Sequence, residues 1–233
     1  MKKKVMTIGL GALLGLAATA LAQSEAAKKL LKHSSISYRL EIATEGEPAT
    51  AFDYQEQGGK SRLKVEGQEA GKKKTTAEML QTGDASYMLN FEEKIAIKFS
   101  KESGMAGMMF PFMWMVVEPD WLSYQAAHQQ GYSIKDKGSE TIRGQSCKVK
   151  EISNLQAKDK VLIYISGDNV IQRWVILPGQ SQQKKATMDL INLEFDKKIA
   201  ESTFQVPAGY QVQDMSNMPM GPGMGRPPAQ KQP

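Results

Sequence analysis

Residues 35–42 read Ser-Ile-Ser-Tyr-Arg-Leu-Glu-Ile, and this alternation decides the fold class. Ile36, Tyr38, Leu40 and Ile42 fall on one phase; Ser35, Ser37, Arg39 and Glu41 fall on the other. Successive side chains of a strand point to opposite faces, so the segment reads as a strand with one buried face. The same period continues outward. Phe52 and Tyr54 mark a second strand, and Leu63 and Val65, set between Arg62, Lys64 and Glu66, mark a third. Thr75 to Leu80 is a further candidate. Tyr87 and Leu89 lead through Asn90-Phe91-Glu92-Glu93 into Ile95, Ile97 and Phe99, which reads as a hairpin.

Strand patterns resume at Tyr132 to Thr141, Ser146 to Ser153 and Lys160 to Ser166. Gly167-Asp168-Asn169 is a tight turn into Val170 to Leu177, Lys184 to Phe195 follows Pro178-Gly179, and Phe204 and Val206 suggest a last short strand. This spacing is that of an antiparallel meander. Two helices are expected beside it. One runs from Glu25 to His33 with Ser24 as N-cap. The other runs from Pro119 to Gln130, with Pro in the first turn, Asp120 complementing the N-terminus and Gly131 closing the end.

The chain has 233 residues. Its start reads as a leader: Lys2, Lys3 and Lys4, then an apolar run from Val5 to Leu21, then Ala20-Leu21-Ala22 as a small-x-small cleavage site before Gln23. The run falls short of the roughly 20 apolar residues that span a bilayer, so residues 1–22 are expected to be a cleaved signal peptide. No Cys follows the cleavage site, which excludes a lipidated N-terminus. Three of the five net positive charges are those leader lysines, so the basic balance points away from nucleic acid as a partner. Lys72-Lys73-Lys74 and Lys184-Lys185 lack interleaved aromatics and read as solvated surface. The expected organisation is signal peptide 1–22, one domain 23–214, and a tail 215–233 in which five Pro, three Gly and four Met show no periodicity.

Between these strands lies the chain's most unusual segment. Gly104 to Val117 is fourteen residues without a charge, holding Met105, Met108, Met109, Met113, Met115, Phe110, Phe112 and Trp114, broken at Pro111. Such a stretch must be hidden from water, in a core, on a membrane, or over an apolar ligand. The unbranched thioether of Met repacks around ligands of varied shape, which suits the last role.

Catalytic chemistry finds little to work with. The only histidines are His33 and His128, and neither has a second His at metal-ligand spacing. No phosphate loop, His-Glu zinc motif or Ser nucleophile elbow occurs. The single Cys147 alternates with Val149 and reads as a buried thiol that forms no internal disulfide. No catalytic residue, resident metal or cofactor is therefore expected. Thioethers do favour Cu(I), and Met215, Met218, Met220 and Met224 gather in the tail, so copper binding is the competing reading.

Phe204-Gln205-Val206-Pro207-Ala208-Gly209-Tyr210 resembles the F-x-x-P-x-G-[YF] ending of the periplasmic outer-membrane lipoprotein carrier superfamily (LolA/LolB-like). Gly138 to Lys148, with Glu140, Ile142, Gly144 and Cys147, resembles an element of an uncharacterised secreted branch of that superfamily. The resemblance implies a mainly β (α+β) fold: an incomplete, strongly curved antiparallel half-barrel with helices plugging or lidding its concave face. It also implies a periplasmic, non-enzymatic carrier whose partner is a lipid or acylated protein. The expected apolar lining and lid is Met105, Met108, Met109, Phe110, Phe112, Met113, Trp114 and Trp121. An envelope protein partner, and transient membrane contact through the Met-rich segment, are further expectations.

Overall fold

A computed structural model describes residues 33–69, 72–100, 132–155, 158–180 and 184–216. They form one strongly curved, open sheet of twelve strands. In chain order these are β1 Ser35–Thr44, β2 Thr50–Gln57, β3 Lys60–Glu69, β4 Lys72–Gln81, β5 Ala85–Asn90, β6 Ile95–Ser100, β7 Tyr132–Ile142, β8 Gln145–Asn154, β9 Lys160–Ser166, β10 Ile171–Leu177, β11 Ala186–Phe195 and β12 Gln211–Asp214. Every strand expected from the alternation up to Phe195 is present; β4, β7 and β8 extend past their expected ends, and β10 and β11 begin at Ile171 and Ala186, later than expected. The spatial order is β12-β6-β5-β4-β3-β2-β1-β11-β10-β9-β8-β7. Two meanders, β1–β6 and β7–β11, thus join where β11 pairs with β1.

Tight turns and bulges shape this sheet. Gly58 and Gly59 both hold positive φ (58° and 75°) between β2 and β3, the conformation a two-residue hairpin loop requires. In β11, Asn192 (φ 54°) and Leu193 together oppose Tyr38 of β1, a bulge that bends the strand and raises its twist. Further register shifts interrupt β3–β4, β7–β8 and β9–β10, and irregularities of this kind help curve a sheet.

Cross-strand register assigns the faces. Ile36, Tyr38, Leu40 and Ile42 share a face with Phe52, Tyr54, Leu63 and Met79, and with Phe195, Leu190, Met188, Trp174 and Ile163. This is the apolar face, and its buried members form one cluster from β3 to β9. Arg39, Asp53, Lys64, Glu66, Arg173 and Asp189 occupy the opposite, charged face.

The C-terminal motif departs from expectation. Phe204 and Val206 do not make a strand; Glu201–Phe204 is a single 3-10 turn, and the last strand is β12. That strand pairs parallel to β6, so the meander ends in one parallel edge. Between β11 and β12 the chain must travel from the middle of the sheet to its edge, and it does so as a strap. Gln57 exchanges both side-chain hydrogen bonds with Ile199, whose N–H donates to Oε1 at 2.7 Å. Lys60 pairs with Glu201. Phe204 is 1% exposed, and Val206 and Tyr210 pack on Leu80, Leu89 and Ala96 of the charged face's β4–β6 end. Tyr210 meets Phe91 edge-on, with ring centroids 6.5 Å apart. Gly209 takes φ 85° to turn the strap into β12; open space surrounds it, so the dihedral alone demands glycine.

The helix expected over 119–130, nearly all of the one over 25–33, the signal peptide and the tail beyond Ser216 lie outside the described residues. His33 sits in a bend, stacked on Phe195 at 4.2 Å and bonded to Asp196 at 2.8 Å.

Candidate functional site

All eight residues expected to line or lid a pocket, Met105, Met108, Met109, Phe110, Phe112, Met113, Trp114 and Trp121, lie outside the described residues. The sheet they would face is described, and its apolar side has two parts.

The first is the hydrocarbon surface itself. Around the buried cluster stand Phe52, Met79, Ile152, Val161, Ile176, Leu193 and Phe195, all only partly buried. Met88, on the same phase as Met79 and Ile97, is 37% exposed. Among the described residues, no second layer packs on this face.

The second part escaped the reading of the sequence. At one end of the apolar face, successive strands place Phe195, Ile36, Glu56, Ser61, Gln81, Ser86 and Phe99 directly opposite one another. Four consecutive members of this row are polar. Ser61, Gln81 and Ser86 are 1%, 6% and 3% exposed, and their Oγ, Oε1 and Oγ atoms have no hydrogen-bond partner. Ser61 lies beside the Tyr54 hydroxyl without meeting it in hydrogen-bond geometry, and that hydroxyl donates to Glu56 Oε2 at 2.8 Å. Burial raises the Glu56 carboxyl above its ordinary range, opposed by the Tyr54 hydrogen bond. An unsatisfied buried polar atom costs about 1–3 kcal/mol, so three side by side are a substantial burden on the fold. The signal was in the sequence: each residue sits on the apolar phase of its strand (Tyr54-Gln55-Glu56, Ser61-Arg62-Leu63, Met79-Leu80-Gln81, Ser86-Tyr87-Met88). Only the register shows that they meet.

The charged face is occupied by its own partners. Arg39 donates to both Asp53 oxygens at 2.8 Å, to Glu66 at 2.7 Å and to Glu41 at 3.0 Å. Arg173 grips Asp189 through Nε and Nη2, and Arg62 grips the buried Glu78 likewise. A shallow groove of about 510 Å³ runs over Arg39, Asp53, Arg62, Lys64 and Glu194. Its cations are already neutralised.

The hydrogen bonds from Lys64 and Arg39 hold the Glu66 carboxyl down at about 2. A depressed carboxylate stabilises the fold fully above its unfolded value, and that contribution disappears as pH falls through the folded one. Glu66→Gln is therefore expected to be less stable than the parent at neutral pH, to approach it as pH falls through about 2, and to match it only below both titrations. Urea midpoints measured from neutral to acid pH check this; parallel curves would contradict it.

Cys147 is fully buried with Val149, Ile142 and Tyr164, its Sγ 3.6 Å from the Gln145 carbonyl, and burial raises its thiol. Among the described residues, no group of three His, Cys, Asp or Glu side chains could hold a metal ion. No described helix is long and apolar enough to cross a membrane.

No family model matches the chain, and no curated protein matches it. Solved structures similar to it include an uncharacterized conserved protein from Thermus thermophilus, at 10% identity and TM-score 0.47, with 82% of this chain and 99% of that one covered. The Mycobacterium tuberculosis lipoprotein LppX is similar at 12% identity and TM-score 0.41, covering 82% and 97%. A LolA superfamily protein from Nitrosomonas europaea is similar at 10% identity and TM-score 0.31, covering 84% and 96%. At such identities no residue role passes from them to this chain.

Proposed function

We propose that this chain is an exported, non-enzymatic protein that binds a lipid, an acyl chain or an acylated protein against the apolar face of its curved sheet. One observation carries the reading: a continuous hydrocarbon surface from β3 to β9, fringed by partly buried Phe52, Met79, Val161, Ile176 and Phe195, with no second layer among the described residues. Burying a methylene contributes about 0.8 kcal/mol, so part of an acyl chain is held there without polar contacts.

The sequence supplies material for a cover. The strands β6 and β7 stand near opposite edges of the sheet, ten strand spacings apart. At about 4.8 Å each, that is about 48 Å along the sheet, less across its curve. The thirty-one residues between Ser100 and Tyr132 reach that far whether helical or extended. They include the uncharged, Met-rich Gly104–Val117, and Met105, Met108, Met109, Phe110, Phe112, Met113, Trp114 and Trp121 are the residues assigned to the ligand. The leader-like residues 1–22 support a periplasmic or other envelope location.

The test is to purify the mature protein from its host, extract it with organic solvent, and analyse lipid and metal by mass spectrometry on one sample. Co-purifying lipid, reduced about tenfold or more by Met109→Asp with Trp114→Asp or by Met88→Asp, is the expected result; a buried charge in hydrocarbon opposes binding by far more than 1.4 kcal/mol. Stoichiometric copper lost on deleting Met215–Pro233 would replace this reading with the thioether one. Neither lipid nor copper would leave an envelope interaction protein.

A further inference from the structure

We infer that the ligand's polar end is a hydroxyl-bearing head group without negative charge, held by Gln81, Ser86 and Ser61 at one end of the apolar face. This rests on the lipid-binding reading above and specifies its substrate class.

Buried polar atoms in folded proteins find partners as a rule. Here three adjacent ones do not, although they stand on directly opposed positions of β3, β4 and β5. Opposed side chains of an antiparallel pair lie within reach of each other, yet no mutual bond forms, so all three buried groups keep unused hydrogen-bonding capacity. Their chemistry limits what that visitor is. A carbonyl oxygen such as Gln81 Oε1 only accepts, so the ligand must bring a donor; a serine hydroxyl both donates and accepts. A carboxylate or a doubly ionised phosphate brings acceptors only. It would leave Gln81 Oε1 unmet and would lie on the side of Glu56, the one ionisable member of the row.

Among the described residues, neither the row nor its neighbour places a cation to offset such a charge. The row and the one above it (Tyr38, Tyr54, Leu63, Met79, Met88 and Ile97) hold no Lys, Arg or His. His33, stacked on Phe195 at the row's end, is bonded to Asp196. Beyond the polar row, the rows of Tyr54, Leu63 and Met79 offer hydrocarbon along the strands. A polar end joined to a long apolar body fits that sequence of surfaces, and an acylglycerol is such a molecule.

The experiment uses the mature full chain and diphenylhexatriene, an uncharged dye with no hydrogen-bonding group, displaced by 1-monooleoylglycerol, oleate, oleoyl lysophosphatidate or oleylamine. Monooleoylglycerol is expected to displace the dye at about tenfold lower concentration than the other three, the scale of one net hydrogen bond. In Gln81→Leu with Ser86→Ala that advantage should shrink to about twofold or less while the protein still takes up the dye. The melting temperature of this variant should hold or rise, since apolar groups replace unsatisfied buried ones, so a lost preference is not lost folding. Equal displacement by all head groups, a stronger effect of the amine or an anion, or a preference that survives the double substitution overturns the inference and leaves lipid binding standing. No dye uptake by the parent chain overturns both.

Discussion

Phe204→Ala is expected to destabilise the fold by about 3–5 kcal/mol, the cost of emptying a well-packed aromatic site. Phe204 is 1% exposed and closes the 3-10 turn that starts the strap's passage over the charged face. Further along, Val206 and Tyr210 shield Leu80, Leu89 and Ala96, which are 0–3% exposed. The strap has other fastenings: Gln57 to Ile199, Lys60 to Glu201, Lys98 to Asp214 at 3.0 Å. The latter two are exposed ion pairs of the kind that contribute little. Losing the aromatic anchor should therefore loosen the passage and β12 together. Urea unfolding should show the lower midpoint, and hydrogen exchange should show faster exchange in Gln211–Asp214 and β6 than in β1 or β11. A loss below about 1 kcal/mol would mean the site collapses around the missing ring, and the strap is not anchored there.

Residues that alternate cleanly announced their own strands, because a period of two is a local property. Ile36 to Ile42 is the plainest case, and the β5–β6 hairpin around Asn90 to Ile95 is another. What stayed hidden is whatever depends on partners distant in sequence. Phe204 and Val206 alternate as in a strand, yet Pro207 cannot donate to a ladder and Gly209 breaks the extended path. The segment spends its apolar side chains on a surface more than a hundred residues earlier. The parallel pairing of Gln211–Asp214 with β6 follows from that crossing and not from the four residues themselves, all of which are exposed.

The candidate site divides along the same line. The apolar face of β1 could be read residue by residue. The polar row could not, since Ser61, Gln81 and Ser86 each stand near a turn, where a polar residue is ordinary. Their alignment on one row exists only once β3, β4 and β5 are in register. The Met-rich segment drew attention by composition alone, which identifies what needs covering but not against what.

Arg62→Ala is the substitution expected to hurt most on the charged face, by about 3–5 kcal/mol, because it strands a buried carboxylate. The side chain of Glu78 is 4% exposed and takes both of its charge-assisted hydrogen bonds from Arg62, at 2.9 and 3.0 Å. Its cross-strand neighbours are Lys64 and Leu89. Lys64 can compensate only by leaving Glu66, to which it is bonded at 2.8 Å, and that would raise the Glu66 carboxyl toward its unfolded value and flatten its part of the acid limb of unfolding. Replacing both partners by Leu removes the uncompensated charge along with the pair. The Arg62→Leu/Glu78→Leu protein is thus expected to be more stable than Arg62→Ala, and close to the parent. A double-mutant cycle of Arg62→Leu, Glu78→Leu and the two together, followed by chemical denaturation, reads this directly. If the two single substitutions simply add, the carboxylate is not stranded, and either water or Lys64 has reached it; the Glu66 acid limb, shifted or unshifted, tells which.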